Sequence, residues 1–170
     1  MIKITSLTKS YGKKKVLENL NCTIKTGSIY GLVGANGAGK STLLRIINDV
    51  FGKDSGTIEI DGKELNGDAD LKQKLVFVPD DLFFFSGYTL MDMALFYKDM
   101  YQKFDMEYVK ELAGILKLNM NEKINNFSKG MKRQCALICA IATNADYMFF
   151  DETFDGVDPV IRNLLKKIII

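Results

Sequence analysis

The run Gly34-Ala35-Asn36-Gly37-Ala38-Gly39-Lys40-Ser41 satisfies the pattern G-x-x-x-x-G-K-[ST] in full. Glycine lets a backbone turn tightly enough for successive N–H groups to converge on phosphate oxygens. A helix beginning near Lys40 adds the positive end of its dipole at the same point. Lys40 supplies a point charge for β- and γ-phosphates, and Ser41 supplies a hydroxyl ligand for Mg²⁺. The expected ATP ligands are therefore Gly34, Asn36, Gly37, Ala38, Gly39, Lys40, Ser41 and Thr42. An incidental glycine-rich turn is the rival reading, and it needs four specified residues to coincide between a strand and a helix.

A second constellation is Tyr147-Met148-Phe149-Phe150-Asp151-Glu152. A buried apolar strand would deliver Asp151 to its polar end to hold the Mg²⁺ shell. Glu152, the next residue, is placed to polarise an attacking water as general base. Taken alone the pattern is common, because apolar strands often end in acids; after a complete phosphate-binding loop it gains meaning. Glu152 and Lys40 are the expected catalytic pair.

The elements that must position these residues can be read from periodicity and turn chemistry. Ile2–Thr8 and Leu20–Thr26 read as strands around a turn at Gly12–Lys15, and Ser28–Val33 as a short strand leading into the glycine-rich loop. Lys40–Val50 has helical spacing of Leu43, Leu44, Ile46 and Ile47. Gly56–Ile60 is another strand, followed by an Asp61-Gly62 turn, and Leu75–Val78 is a strand stopped by Pro79. From Leu90 to about Asn121 the pattern is helical; Ser128 begins a further helix to about Asn144. Asp158-Pro159 reads as an N-cap followed by proline at the first helical position. Strands alternating with helices predict an α/β fold with a largely parallel sheet.

With both motifs in place the chain resembles the ABC ATPase family over essentially its whole length. Asn126-Phe127-Ser128-Lys129-Gly130-Met131-Lys132-Arg133-Gln134 is similar to that family's signature segment, with Ser128 and Gly130 matching the Leu-Ser-Gly-Gly-Gln form strictly. The resemblance implies a P-loop NTPase (RecA-like) core, with an N-terminal antiparallel β portion and an inserted helical subdomain. The core would comprise residues 1–79 and 145–170, and the subdomain residues 80–144. It implies that Ser128 and Gly130 face the γ-phosphate held by an opposite subunit, Ser128 also being a natural helix N-cap. Tyr11 stands where the family stacks an aromatic ring on adenine, and Asp158 where it has the aspartate of a loop crossing the dimer contact. Asp80, in Pro79-Asp80-Asp81, aligns with a glutamine of the family and is expected in the metal shell. Thr153 replaces the usual proline, with little expected consequence. The family's switch histidine lies on a strand beyond the last helix here, so the resemblance implies a C-terminally truncated chain that hydrolyses ATP poorly alone.

The implied function is the ATP-binding and hydrolysing subunit of an ABC transporter, working as a head-to-tail homodimer or heterodimer against a separate membrane permease. Two other readings stay open: a soluble ABC ATPase with a non-transport role, and a non-catalytic nucleotide sensor. Phe83, Phe84, Phe85 and Tyr88 stand at the subdomain's entrance, where the bland reading is core packing and the other is docking of the membrane partner.

Composition bounds these readings. The 170 residues are 47% apolar and 26% charged, an ordinary globular profile, and the net charge of +2 shows no basic stripe for nucleic acid. The longest apolar run, Cys135–Ala142, falls well short of the roughly 18 residues of a membrane span. Cys22, Cys135 and Cys139 are expected as buried thiols, and the protein as cytoplasmic, peripheral at the membrane through its permease.

Overall fold

A computed structural model describes residues 1–153, together with Pro159 and Asn163. The chain divides into two compact units, Met1–Lys72 and Gln73–Ile170.

In the first unit, β1 (Ile2–Tyr11), β2 (Lys14–Ile24), β3 (Ser55–Ile60) and β4 (Lys63–Glu64) form an antiparallel sheet in the order β2-β1-β3-β4. Helices α1 (Lys40–Ile47) and α2 (Ala69–Lys72) complete it. The sheet buries Ile2, Ile4, Leu7, Ile58 and Ile60, while α1 buries Leu43, Ile46 and Ile47, one stripe at helical spacing. β1 and β2 run longer than their alternation suggests, for a physical reason. Bulges at positive-φ Ser6 and Asn19 break the period-two pattern, and the Ser6 N–H leaves the ladder to donate to the Asn21 side chain at 2.9 Å. Gly56 passes β1 at this bulge so closely that a Cβ there would meet the Ser6 carbonyl at 2.5 Å. Asp61-Gly62 makes the tight turn between β3 and β4, as expected.

Ser28–Val33 departs from expectation. It belongs to no strand among the described residues, and Ile29 and Val33 are 77% and 95% exposed. Its β-prone composition fits a pleated, half-buried surface, but no ladder partner lies beside it among the described residues, and propensity alone makes no strand.

In the second unit, β5 (Leu75–Val78) and β6 (Tyr147–Phe150) pair in parallel, Leu75 opposite Tyr147 through Val78 opposite Phe150. The four-stranded antiparallel sheet is the N-terminal antiparallel β portion that the resemblance implies, whereas parallel pairing among the described residues is confined to these two strands, less than the largely parallel sheet that the alternation of elements predicts. The helical stretch expected from Leu90 resolves into α3 (Leu90–Met100) and α4 (Met106–Ile115), followed by a 3₁₀ turn at Ile124–Asn126. A Thr89–Asp92 capping box starts α3, and Asp105 caps α4 through the Tyr108 N–H at 3.0 Å. Helix α5 (Lys129–Ala142) is buried at every position from Arg133 to Ala142, so it forms the spine of this unit. Its Leu137 and Ile138 join Leu90, Val109, Leu112 and Ile124 in one core, while its small Ala136 and Ala140 let β5 approach, packing with Val76 and Val78. The expected Asp158 cap lies outside the described residues.

Candidate functional site

In the first unit the glycine-rich loop runs into α1. Gly39 caps the helix at φ 93° with no side-chain hydrogen bond to the first turn, so the leading N–H groups of α1 are left for a ligand. A side chain is excluded there twice over: the left-handed φ strains it, and a Cβ would lie 2.9 Å from the Val16 carbonyl of β2. That close approach seats the loop against the β1–β2 hairpin, whose tip carries Tyr11. The Lys40 ammonium folds back onto its own loop, donating to the Gly34 and Ala35 carbonyls at 2.8 and 3.0 Å. An ammonium held in its loop by two backbone carbonyls, beside an uncapped helix N-terminus, puts positive charge where an anion can bind. Tyr11 is exposed, with the Phe51 ring edge-on at 6.5 Å and the Lys9 ammonium over its ring, 5.5 Å from the centroid.

In the second unit the parallel register of β5 and β6 brings Pro79-Asp80 and Asp151-Glu152 to one strand end. Asp151 is buried, and its N–H donates to the Val78 carbonyl at 3.0 Å. The Thr153 hydroxyl lies 3.1 Å from that same carbonyl and 3.3 Å from the Asp151 carbonyl, so the turn is tied to β5 twice. Glu152 is exposed and held at φ 49°, a left-handed conformation uncommon for a side chain of its kind. Ser128 caps α5, its Oγ accepting from the Met131 N–H at 3.2 Å, with Gly130 in the first turn.

Two residues escaped the sequence reading. Thr153, expected to matter little, is buried and bonded. Arg133 is 3% exposed, and its Nη2 pairs with Asp80 Oδ1 at 2.8 Å while Nη1 donates to the Glu152 carbonyl at 2.6 Å. A signal for Arg133 existed: a cation heading ten buried positions of α5 must find a counter-ion.

Cys135 and Cys139 are buried as expected, and burial pushes the Cys135 thiol up to about 12 and the Cys139 thiol further. Cys22 instead is partly exposed, donating to the Tyr30 hydroxyl at 3.6 Å.

Set beside known proteins, residues 17–155 match the family model described as ABC transporter. The chain belongs to the ABC transporter family. It is 33% identical over 170 residues to the ABC transporter ATP-binding protein YtrB of Bacillus subtilis (strain 168), covering all of this chain and 58% of that protein. It is 32% identical over 169 residues to the linearmycin resistance ATP-binding protein LnrL of the same organism, covering 96% and 54%. The chain thus spans little more than half the length of these two relatives. A solved ATP-binding subunit of an ABC transporter superposes with a TM-score of 0.90 at 26% identity, covering 99% of this chain and 72% of that one. The α/β P-loop class expected from the motifs therefore holds for this ABC family member.

The aromatic run is part packed and part exposed. Phe84 and Tyr88 pack against the helical core, whereas Phe83 is 75% exposed with its ring edge on Phe85 at 5.4 Å. No helix among the described residues is long and apolar enough to cross a membrane.

Proposed function

We infer that this chain belongs to the ATP-binding and hydrolysing subunit of an ABC transporter, which couples Mg-ATP hydrolysis in a head-to-tail dimer to a separate membrane permease. The observation that carries the reading is the glycine-rich loop: a left-handed Gly39, an uncapped α1 N-terminus and an ammonium turned into the loop. Residues 1–79 with 145–170 serve as the nucleotide core, and residues 80–144 as the helical subdomain. The subunit works at the cytoplasmic face of the membrane, held there by the permease, with exposed Phe83 on the receiving surface.

The donors fit a magnesium nucleotide. Magnesium is held through one or two protein oxygens plus substrate phosphates rather than an all-protein cage. Within the first unit the Ser41 hydroxyl in the first turn of α1 is such an oxygen, and within the second unit the carboxylate of buried Asp151 is another, while no cluster of three acidic, histidine or cysteine ligands occurs among the described residues. Magnesium, when bound, would supply positive charge that offsets the charge of the phosphates. The loop N–H groups from Gly34 to Thr42 hold the phosphates, Tyr11 stacks on the adenine, and Lys40 exchanges its loop carbonyls for phosphate oxygens. Glu152 accepts the proton of the attacking water. Ser128 and Gly130, at the N-terminus of α5, meet the γ-phosphate of the opposite subunit.

Lys40→Ala tests the binding half of this reading. It removes one charge-assisted contact, so titration with a fluorescent ATP analogue should show affinity weakened about tenfold or more. Unchanged affinity rejects the loop as the ATP site.

A further inference from the structure

We propose that Arg133 is the positioning residue of Glu152, and that Asp80 anchors Arg133 instead of entering the metal shell. The proposal rests on the reading of Glu152 as general base. The Arg133 guanidinium is buried and reaches two acceptors in different directions: Asp80 Oδ1 at 2.8 Å and the Glu152 carbonyl at 2.6 Å. Two loops that leave neighbouring strand ends, after Val78 of β5 and after Phe150 of β6, are thereby fastened to one side chain on α5.

Glu152 requires such a fastening. Its φ of 49° persists only where the surroundings hold it, and the bonds of Asp151 and Thr153 to the Val78 carbonyl fix the residues on either side. The Arg133 bond grips the Glu152 carbonyl itself. If that grip is lost, the peptide following Glu152 can relax toward the right-handed or extended region, and the direction of the carboxylate changes with it. Asp80 has the complementary task. A buried cation must be paired, and the half-exposed Asp80 carboxylate, 52% accessible against 4% for the Arg133 side chain, is the counter-ion that keeps the guanidinium in place.

The test is a double-mutant cycle in the full-length protein, read as steady-state kcat and KM and as single-turnover hydrolysis of radiolabelled ATP. Arg133→Lys keeps a positive charge opposite Asp80 but lacks the planar fork that reaches two acceptors. It should lower kcat about tenfold, the scale of a misplaced catalytic group, with KM for Mg-ATP and melting temperature close to the parent. In a Glu152→Gln background the same change should cost nothing further, because the group it positions is already gone. An equal loss in both backgrounds, an unchanged kcat, or a loss confined to KM overturns the proposal. If Arg133→Lys does not fold, Asp80→Asn on the exposed partner carries the same cycle, with a smaller fall in kcat that must likewise vanish beside Glu152→Gln; a fall of equal size in both backgrounds overturns the proposal. Glu152→Gln hydrolysing at the parental rate overturns both the base reading and the proposal, an outcome distinct from additive losses, which leave the base reading standing.

Discussion

Thr153, which stands where the family resemblance implies a proline, makes bonds that a proline cannot make. A proline at this position has neither hydroxyl nor N–H, whereas Thr153 is buried and shares its O–H between the Val78 and Asp151 carbonyls. Thr153→Val keeps the shape and removes the hydroxyl, while the Val78 carbonyl retains the Asp151 N–H. The expected loss is about 1 kcal/mol of unfolding free energy in denaturant titration. No loss at all would mean that the hydroxyl only fills space. At this scale the glycine-rich loop and Asp151-Glu152 were legible, because their chemistry demands fixed types at fixed spacing. Thr153 was not, because it acts through Val78, 75 positions away in the chain, and for Arg133 the need of a counter-ion was legible but its partner Asp80, 53 positions away, was not.

At the scale of elements, local signals were read well wherever one segment decided its own conformation. Ser128 as the α5 cap, the Asp61-Gly62 turn and the apolar strands Leu75–Val78 and Tyr147–Phe150 appear where the residues placed them. Ser28–Val33 is no strand among the described residues, and β1 and β2 pair as expected but with other bounds, because strand extent belongs to a ladder and not to one segment. The break before α4 depended on Asp105, whose N–H also donates to the Ala142 carbonyl at the end of α5. The capping box of α3 gives a pH test. The Thr89 N–H and hydroxyl hold the Asp92 carboxyl below its ordinary 3.8. A lowered value in the folded state means that the ionised carboxylate stabilises α3 above 3.8, and that this contribution fades as pH falls through the folded-state value. Asp92→Asn should therefore lower the melting temperature at neutral pH, with the gap to the parent closing in strong acid. A gap of constant size across that range would show that the charge has no part in the cap.

At the scale of the whole molecule, the two compact units divide the chemistry. Met1–Lys72 carries the loop, Lys40, Ser41 and Tyr11, and Gln73–Ile170 carries Asp80, Ser128, Arg133, Asp151 and Glu152. In the proposed dimer the phosphate held by one copy's loop meets Ser128 of the other copy, so binding and association become one event. Association of the full-length Glu152→Gln variant, followed by light scattering with and without Mg-ATP, tests this most directly. Glutamine keeps the size and hydrogen bonding of Glu152 but not its basicity, so ATP should bind, hydrolysis should nearly stop, and a dimer should accumulate only with nucleotide. Adding Ser128→Arg should abolish that dimer while leaving ATP bound. A monomer under every condition, or a dimer indifferent to Ser128→Arg, would contradict the composite site.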